Sequence, residues 1–517
     1  MDTTRRDFLA AIGALGFAGL SSENGSRLVL LHTNDIHGHL TAWRGWEGDL
    51  KDRQIGGLDR LAAAVLQIRQ DNEGRSLLLD AGDCWGDTMI ADRTKGSALV
   101  AALNHLNYDA MTVGNHEPDF GREGMKTLVA QARFPVVAAN LVARPGGQLF
   151  TKAYVMREIG GVSVGILGLA YPKTPWTTSA KNIEGLEFQT PVDVARQFIP
   201  QMRDEGARLI VLLTHLGLAA DKHLAEAISG IDVIVGGHSH NRMGDAHRVG
   251  KTLIVQAGAH GSDLGRLDLV LENGRITDYR RTLIPLDHER IPGDPGTERL
   301  IRELLEPHQQ ALQEPVGVAG DWLVRAQTLA GQEARLRDQE SPVDSLFADI
   351  LREETGADAA LLPGVGYGVA IPAGPITAAQ LRQLIPHEGT VFTMPLAGAQ
   401  IRDILEQSVE NVFSDDAAKK VGGMIQVSGI RFRFDPRRSQ GSRVVELADL
   451  SGVWDHGRQY LVATNSLLAQ GGHNYREFLR AENVKQGQAQ YETVKRWIKE
   501  HSPVVTPPPG RIGQVRA

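Results

Sequence analysis

Cysteine and long apolar runs are what this chain of 517 residues has least of. Its single cysteine, Cys84, excludes an intrachain disulfide. Beyond the N-terminal segment, no stretch approaches the roughly 20 apolar residues that a membrane-spanning helix needs, so we expect no stable membrane span. A net charge of −7 excludes a whole-molecule electrostatic attraction to nucleic acid, which we do not expect as a partner. The hydrophobic fraction of 42% nevertheless indicates a folded protein, whose length suggests two or three domains.

The N-terminal segment has the pattern of an export signal. The pair Arg5-Arg6 precedes an apolar run over 10–20, which is typical of a twin-arginine signal peptide. We therefore predict a signal peptide over 1–25 and a periplasmic or other extracytoplasmic location. Proteins on this route cross the membrane already folded, so the near absence of cysteine is compatible with export. The alternative is a buried N-terminal helix.

Alternating apolar strands and amphipathic helices predict an α/β fold with two main domains. The alternation runs over 26–290, which we assign to the first domain. Four prolines between 285 and 307 then interrupt it, and a charged helical pattern predicts a linker helix over 291–318. A second α/β domain is predicted over 319–510, followed by a tail over 511–517.

Polar clusters follow the predicted strands of the first domain. Each begins within a few residues of a strand's carboxyl end, where α/β folds place ligands, so we expect the clusters to meet at one rim. Unrelated polar loops are the alternative, and the repeated coincidence argues against it. The clusters are Asn34-Asp35-Ile36-His37, Gly82-Asp83, Gly114-Asn115-His116-Glu117-Pro118-Asp119, Thr214-His215 and Gly236-Gly237-His238-Ser239-His240.

These residue types suit two divalent ions held about 3.5–4 Å apart, a centre that polarises a tetrahedral ester and activates water. Asp83, alone in a Gly-Asp turn, could bridge both ions. Mixed nitrogen and oxygen ligands without thiolate favour Mn²⁺, Zn²⁺, iron or cobalt. The remaining predicted ligands are Asp35, His37 and His240 for one ion, and Asn115, His215 and His238 for the other.

His116 adjoins a predicted ligand but is not needed as one. Asp119, three residues on, could pair with its ring and orient it. A charged imidazole beside the metals would stabilise the transition state or protonate the leaving oxygen, so we predict His116 and Asp119 as catalytic. The alternative is that His116 only donates a structural hydrogen bond.

In this order the motifs resemble the 5′-nucleotidase family of the calcineurin-like metallophosphoesterases. The match includes 114–121, Ile371-Pro372-Ala373-Gly374 and Val462-Ala463-Thr464-Asn465. The resemblance implies a four-layer metallophosphoesterase β-sandwich flanked by helices, and a C-terminal α/β domain that binds a small substrate. It also implies a metal-dependent hydrolase of phosphate esters, and it assigns the same metal and catalytic roles to the residues named above.

The substrate-binding motifs match that family less well. An arginine of the family aligns with Gly368, and its two aromatic rings that clamp the base align with Met424 and Leu467. The usual Gly-Gly-Asp-Gly-Tyr is Gly471-Gly472-His473-Asn474-Tyr475 here. These differences weaken the prediction of ordinary nucleotide recognition, because stacking on an aromatic ring contributes about 1–3 kcal/mol per base. The candidate substrate-binding residues are Gly366, Tyr367, Gly368, Met424, Leu467, His473 and Tyr475.

The chain is also similar to the periplasmic thiosulfohydrolases of sulfur oxidation. Pro363-Gly364-Val365-Gly366-Tyr367-Gly368 and Tyr171-Pro172-Lys173-Thr174-Pro175 carry this second resemblance. It implies an alternative activity, the hydrolysis of a sulfur–sulfonate bond on a carrier protein. Those enzymes replace the Gly-Asn-His-Glu motif, whereas this chain keeps it at 114–117, so a phosphate ester is the favoured substrate. A third alternative is a protein that only binds metal or phosphate.

Overall fold

The computed structural model describes residues 25–46, 48–325, 337–365, 370–387, 389–416 and 419–515. The predicted signal peptide, apart from Gly25, lies outside the described residues, and so do Gly366, Tyr367 and Gly368. No helix within the described ranges is long and apolar enough to cross a membrane. The chain divides into two compact units. The first contains the described residues through Thr174 and Ala180–Gln309; the second contains Pro175–Ser179 and the described residues from Gln310.

Strands and helices alternate along both units, with the following bounds. The strands are β1 (Ser26–Thr33), β2 (Ala42–Arg44), β3 (Gln54–Gly56), β4 (Ser76–Asp80), β5 (Ala110–Thr112), β6 (Val136–Val137), β7 (Leu141–Ala143), β8 (Gln148–Leu149), β9 (Tyr154–Ile159), β10 (Val162–Leu169), β11 (Leu186–Phe188), β12 (Leu209–Thr214), β13 (Val233–Gly236), β14 (His247–Val249), β15 (Thr252–Val255), β16 (Asp263–Glu272), β17 (Arg275–Pro285), β18 (Pro315–Ala319), β19 (Ala359–Gly364), β20 (Gly374–Thr377), β21 (Thr390–Ala397), β22 (Gly423–Ser428), β23 (Ile430–Phe434), β24 (Val444–Asp449), β25 (Gln459–Asn465), β26 (Lys485–Ala489) and β27 (Ile512–Gln514). The α-helices are α1 (Leu58–Asp71), α2 (Met89–Thr94), α3 (Ser97–Leu106), α4 (Gly121–Gln131), α5 (Thr174–Thr177), α6 (Pro191–Asp204), α7 (Leu218–Ala227), α8 (Pro295–Leu305), α9 (Gln309–Leu312), α10 (Pro342–Thr355), α11 (Ala378–Leu384), α12 (Gly398–Phe413), α13 (Ser466–Ala469) and α14 (Gln490–His501).

Two six-stranded sheets form the centre of the first unit. Their strand orders are β17-β16-β1-β4-β5-β6 and β14-β15-β13-β12-β10-β9. The strands from β1 to β6 in the first order run parallel, and so do β15, β13, β12 and β10 in the second. Parallel strands that are covered on both faces have nearly continuous apolar sequences, which is what β1 and β12 show.

The main core lies between these sheets, because alternate residues of each strand point to opposite faces. Leu28 and Leu30 of the first sheet share one buried cluster with Val211 of the second. On the other face of β12, Ile210 joins a cluster with Ile199 of α6. Helix α1, which has a buried apolar face, contacts β16 of the first sheet. The predicted α/β class is therefore confirmed, with helices packed on paired sheets.

The second unit has its own core around a five-stranded mixed sheet of order β22-β19-β25-β21-β26. Helix α10 packs on β19 and β22, and α12 packs on β22. Smaller sheets join β18 to β20 and β24 to β23 and β27. The apolar core includes Leu361, Met394, Leu405 and Phe432.

Two predicted segments have a different structure from the one expected. The segment 291–318 is not one helix: α8 ends at Leu305, and a 3₁₀ turn at Glu306–His308 contains Pro307. Proline removes an amide donor and breaks the regular helix there. The predicted tail over 511–517 contributes β27, which pairs in parallel with β23. A carboxylate holds this strand, because Glu340 Oε2 accepts hydrogen bonds from three consecutive amides beginning at Gly510.

Candidate active site

The predicted ligands of the first unit lie on loops at the carboxyl ends of neighbouring strands. Asp35 and His37 follow β1, Asp83 follows β4, and Asn115 follows β5, and these three strands are adjacent in the first sheet. His215 follows β12, whose neighbour β13 leads to the segment with the last two histidines. The strand order thus brings residues that lie far apart in the sequence to one rim.

Several predicted ligands have a left-handed backbone, which is uncommon for residues with a side chain. The φ angles are 54° at Asp35, 48° at His37, 58° at Asp83, 73° at His238 and 57° at His240. Such a conformation costs on the order of 1–3 kcal/mol per residue and persists only where the surroundings impose it. Here the loops constrain each other: the amide of Asp35 donates to Gly82 O at 2.9 Å, and that of His37 to Asp83 O at 2.8 Å.

Asp83 is held on both sides by the loop after β5. A Cβ atom on Gly114 would lie 2.1 Å from Asp83 Oδ1, so only glycine allows this approach. The amide of His116 donates to the same Oδ1 at 2.8 Å. Glu117, for which the sequence indicated no role, accepts hydrogen bonds from the amides of Asp83 at 2.9 Å and Cys84 at 2.8 Å. Glu117 therefore ties the loop of Asp83 to the loop of His116.

Asp35, His37 and His240 form the first group of possible ligands. One side-chain atom from each lies within 4.8 Å of the others. Asp35 Oδ1 is 3.2 Å from His240 Nε2 and 3.8 Å from His37 Nε2, and the two ring nitrogens are 3.1 Å apart. Burial raises the pKa of Asp35, but the adjacent imidazoles, His240 above all, outweigh it and hold the pKa below its ordinary value.

Asp83, His215 and His238 form the second group, again within 4.8 Å. Asp83 Oδ2 lies 2.9 Å from His215 Nε2. Asn115 belongs to the same place, because its Oδ1 is 2.8 Å from His238 Nδ1. Asp35 links the groups, since its Oδ1 is also 3.8 Å from His215 Nε2. The geometry thus brings all the predicted ligands together.

The protonation of His215 fits a cation at this position. Its Nδ1 lies 2.7 Å from Ala81 O, and a carbonyl can only accept, so Nδ1 carries the hydrogen. The buried Nε2 then faces the Asp83 carboxylate, whose Oδ2 is 2.9 Å away. Although burial alone would lower it, the carboxylates of Asp83 and Asp35 raise the pKa of His215 to about 9. This negative surrounding favours a proton or, in its place, a divalent cation.

His116 and Asp119 form the expected imidazole–carboxylate pair. His116 Nδ1 is 2.8 Å from Asp119 Oδ2, at the edge of the second ligand group. Burial lowers the pKa of His116, but Asp87, Asp119 and Asp83 outweigh it and raise this pKa well above the ordinary value. Because Nδ1 binds Asp119, Nε2 is the ring nitrogen that can transfer a proton.

Asp87 is a further buried acid of this site, and the sequence indicated no role for it. Its Oδ2 lies 2.6 Å from His37 Nδ1, and its Oδ1 lies 3.6 Å from His116 Nδ1. The only signal in the sequence is its place in the Gly-Asp loop, four positions after Asp83.

The described substrate-binding candidates lie in the second unit. Met424 and Tyr475 are buried in its core, and Ser408 Oγ donates to Met424 Sδ at 3.1 Å. His473 is 8% exposed, with its backbone carbonyl bound by Asn411 Nδ2 at 2.8 Å. Leu467 is half-buried and packs against Gly472. Their role in substrate binding stays a prediction, and the full burial of Met424 leaves it no surface on which a base could stack.

Comparison with known proteins agrees with this architecture. Residues 28–242 match the family model of the calcineurin-like phosphoesterases, and 318–480 match that of the 5′-nucleotidase C-terminal domain. The snake venom 5′-nucleotidase of Gloydius brevicauda is 28% identical over 561 residues, covering 98% of this chain and 92% of that protein.

Two solved structures share the fold over almost the whole chain. A 5′-nucleotidase precursor from Thermus thermophilus superposes with a TM-score of 0.85 at 28% identity, covering 95% of this chain and all of that one. The sulfate thiohydrolase SoxB of Thermus thermophilus gives a TM-score of 0.85 at 26% identity, covering 96% and 98%. The family models and relatives together confirm the predicted resemblance and the metal-dependent hydrolase class. The chain belongs to the 5′-nucleotidase-like metallophosphoesterases, with a calcineurin-like phosphoesterase domain followed by a 5′-nucleotidase C-terminal domain.

Proposed function

We propose that the protein is an exported two-metal hydrolase that cleaves small phosphate esters of the 5′-nucleotide class. The observation that carries this proposal is the convergence of two ligand groups in the first unit, joined through Asp35. Asp35, His37 and His240 would hold one divalent ion, Asn115, His215 and His238 the other, and Asp83 would contact both. Bound Mn²⁺, Zn²⁺ or similar ions would polarise the phosphoryl group and acidify a water.

His116 supplies the proton that the departing alcohol needs. Asp119 accepts from Nδ1 and so orients the ring, which leaves Nε2 as the nitrogen that gives its proton to the leaving oxygen. The amide of His116 donates to Asp83 Oδ1, so the residue lies next to a predicted ligand, where a charged ring would stabilise the phosphoryl oxygens. These contacts support His116 as general acid and Asp119 as its partner.

Hydrolysis of defined substrates tests this function. Purified protein loaded with Mn²⁺ is expected to release phosphate from AMP, or to cleave bis(p-nitrophenyl) phosphate if the substrate is a diester. A fully metallated sample that turns over neither compound would contradict phosphate-ester hydrolysis. It would then favour a protein that only binds metal or phosphate.

Cleavage of a sulfur–sulfonate bond on a carrier protein is the second candidate. It is favoured by the similarity to the sulfate thiohydrolase structure and by the non-aromatic Met424 and Leu467 at the positions aligned with the base clamp. A thiosulfonated carrier peptide in the same assay separates the two. Release of sulfate together with inactivity on AMP would replace the first proposal by this one.

Export is proposed from the pair Arg5-Arg6 and the apolar run that follows it. Replacing both arginines by lysine keeps the charge but removes the pair that the twin-arginine pathway recognises. The double variant is expected to stay in the cytoplasm of a host that has this pathway, whereas the unchanged chain reaches the periplasm, as measured by cell fractionation. Equal distribution of both proteins would contradict the proposal.

A further inference from the structure

Asp87 occupies a rigid place beside the candidate metal centre. It is 4% exposed and has a left-handed backbone with φ of 72°. The next residue, Thr88, caps α2 by accepting from the amide of Ala91 at 3.4 Å. Thr88 Oγ1 also donates to Gly38 O at 3.2 Å, next to His37. The position of the Asp87 carboxylate is therefore set by a helix start and by the loop that carries His37.

One oxygen of Asp87 determines the tautomer and the orientation of the His37 ring. Oδ2 is 2.6 Å from Nδ1 of His37, and an ionised carboxylate can only accept a hydrogen bond. Nδ1 then carries the hydrogen, and the lone pair of Nε2 points toward Asp35 and His240. A carboxylate on the far nitrogen of an imidazole ligand fixes the tautomer and the ring orientation, and it makes the ligand more basic.

The other oxygen of Asp87 faces His116. Oδ1 lies 3.6 Å from Nδ1 of His116, outside hydrogen-bond distance but close enough for a direct charge interaction. The rings of His37 and His116 stand edge to face with centroids 5.5 Å apart. A single buried carboxylate thus lies between a candidate metal ligand and the candidate acid.

We propose that Asp87 is a positioning residue that orients His37 as a metal ligand and, through its second oxygen, places a carboxylate beside the ring of His116. The inference rests on the proposed two-metal function and adds a residue to it. Asp119 Oδ2 accepts a hydrogen bond from His116, whereas the two oxygens of Asp87 face both His37 and His116. Loss of Asp87 therefore affects metal affinity and turnover together, while loss of Asp119 affects turnover only.

The proposed role of Asp87 in orienting His37 is tested by the binding of Mn²⁺ to the whole protein. The electron paramagnetic resonance of the free ion measures this binding. Asp87→Ala is expected to weaken one of two Mn²⁺ sites by about 10–100-fold, the usual effect of losing such a partner. Asp87→Asn keeps an oxygen that accepts from Nδ1, so most of the affinity is expected to remain. Glu123→Gln, an exposed acid on α4, is the matched control and is expected to bind as the wild type does.

The proposed effect of Asp87 on His116 is tested by turnover at saturating Mn²⁺. Both Asp87 variants are expected to lose at least about tenfold in kcat with little change in KM, because the charge next to His116 is gone. If Asp87→Ala does not fold, Asp87→Asn still tests this effect. Unchanged Mn²⁺ affinity in a folded Asp87→Ala variant, or unchanged kcat in Asp87→Asn, would overturn the inference. A wild-type protein that binds no Mn²⁺ would instead overturn the proposed function and the inference with it.

Discussion

The side chain of His116 can be replaced without disturbing the predicted metal ligands around it. Its ring contacts Asp119 and lies near Asp87, while its amide, not its ring, binds Asp83. Replacing the side chain therefore leaves the ligand carboxylate in place. A general acid is expected to show this behaviour: its loss lowers kcat but leaves the bound metal in place.

We predict that His116→Ala lowers kcat by about 10²–10⁴-fold, the usual contribution of general acid–base catalysis. Mn²⁺ content after gel filtration is expected to match that of the wild type. His223→Ala, which removes an exposed histidine of α7, is the control with unchanged kcat. Metal loss in proportion to activity loss would show that the pair is structural.

His473 is predicted to make the protein less stable in acid. Burial and then the charge of Arg337 lower its pKa from 6.5 to about 4, so the folded state holds the ring neutral. Between these values the unfolded chain binds a proton that the folded chain does not, so stability falls as pH decreases from 6.5 to 4. The full loss is about 3 kcal/mol for this shift.

His473→Asn removes this titration and suits the local backbone, whose φ is 50°. The urea midpoint of the variant is therefore expected to fall less between neutral pH and the pKa of about 4 than that of the wild type. His456→Asn, at an exposed position of the same unit, is expected to behave as the wild type does. If the urea midpoints of all three proteins changed with pH in the same way, His473 would not be the cause of the acid sensitivity.

At the scale of elements, the loops after the strands hold the ligands because they pack backbone to backbone. Gly114, in the loop that follows β5, is the clearest case: an added Cβ would meet Asp83 Oδ1 at 2.1 Å and Asp83 N at 2.7 Å. Neither atom can move without displacing the loop that follows β4. A methyl group at position 114 is therefore expected to displace the predicted ligand Asp83 without contacting a metal itself.

We predict that Gly114→Ala weakens Mn²⁺ binding by at least about tenfold, an effect comparable to losing a residue that orients a ligand. Activity is expected to recover partly at high Mn²⁺ concentration. Gly244→Ala is the matched control, because no heavy atom lies within 4 Å of its added Cβ. Equal Mn²⁺ affinities of the two variants, measured by isothermal titration, would show that the contact is not tight.

Element positions followed closely from local sequence where the pattern was strong. The mostly apolar run over 162–169 forms β10, and the alternating run over 430–434 forms β23. A mostly apolar sequence of this length specifies a strand such as β10, because both of its faces are covered. The linker helix predicted over 291–318 is interrupted at Pro307, which cannot donate a backbone hydrogen bond.

At the scale of the whole molecule, all the predicted metal ligands lie in the first unit. An ion that binds only the folded state stabilises the residues it contacts, in proportion to the logarithm of its concentration. Several of these ligands have left-handed backbones, which are costly without a constraint. The ligand loops should therefore depend on metal more than any part of the second unit.

We predict that removing metal with a chelator raises amide hydrogen exchange in the loops around His37, Asp83, His215 and His238. Strand β25 and helix α12 of the second unit are expected to keep their protection, because their core contains no predicted ligand. Adding Mn²⁺ back is expected to restore the slow exchange. A uniform change across both units, or none, would contradict a metal centre confined to the first.

The sequence by itself determined the family, the α/β class and the residue types available at each strand end, because apolar strands and the polar loops after them are local patterns. The tertiary structure alone decided which side chains meet. Asp87 and His37 are 50 positions apart and touch only because β1 and β4 are neighbours in one sheet. Met424 likewise aligned with a substrate-binding position but is buried, since the packing of its strand β22 on α12 is a property of the assembled core.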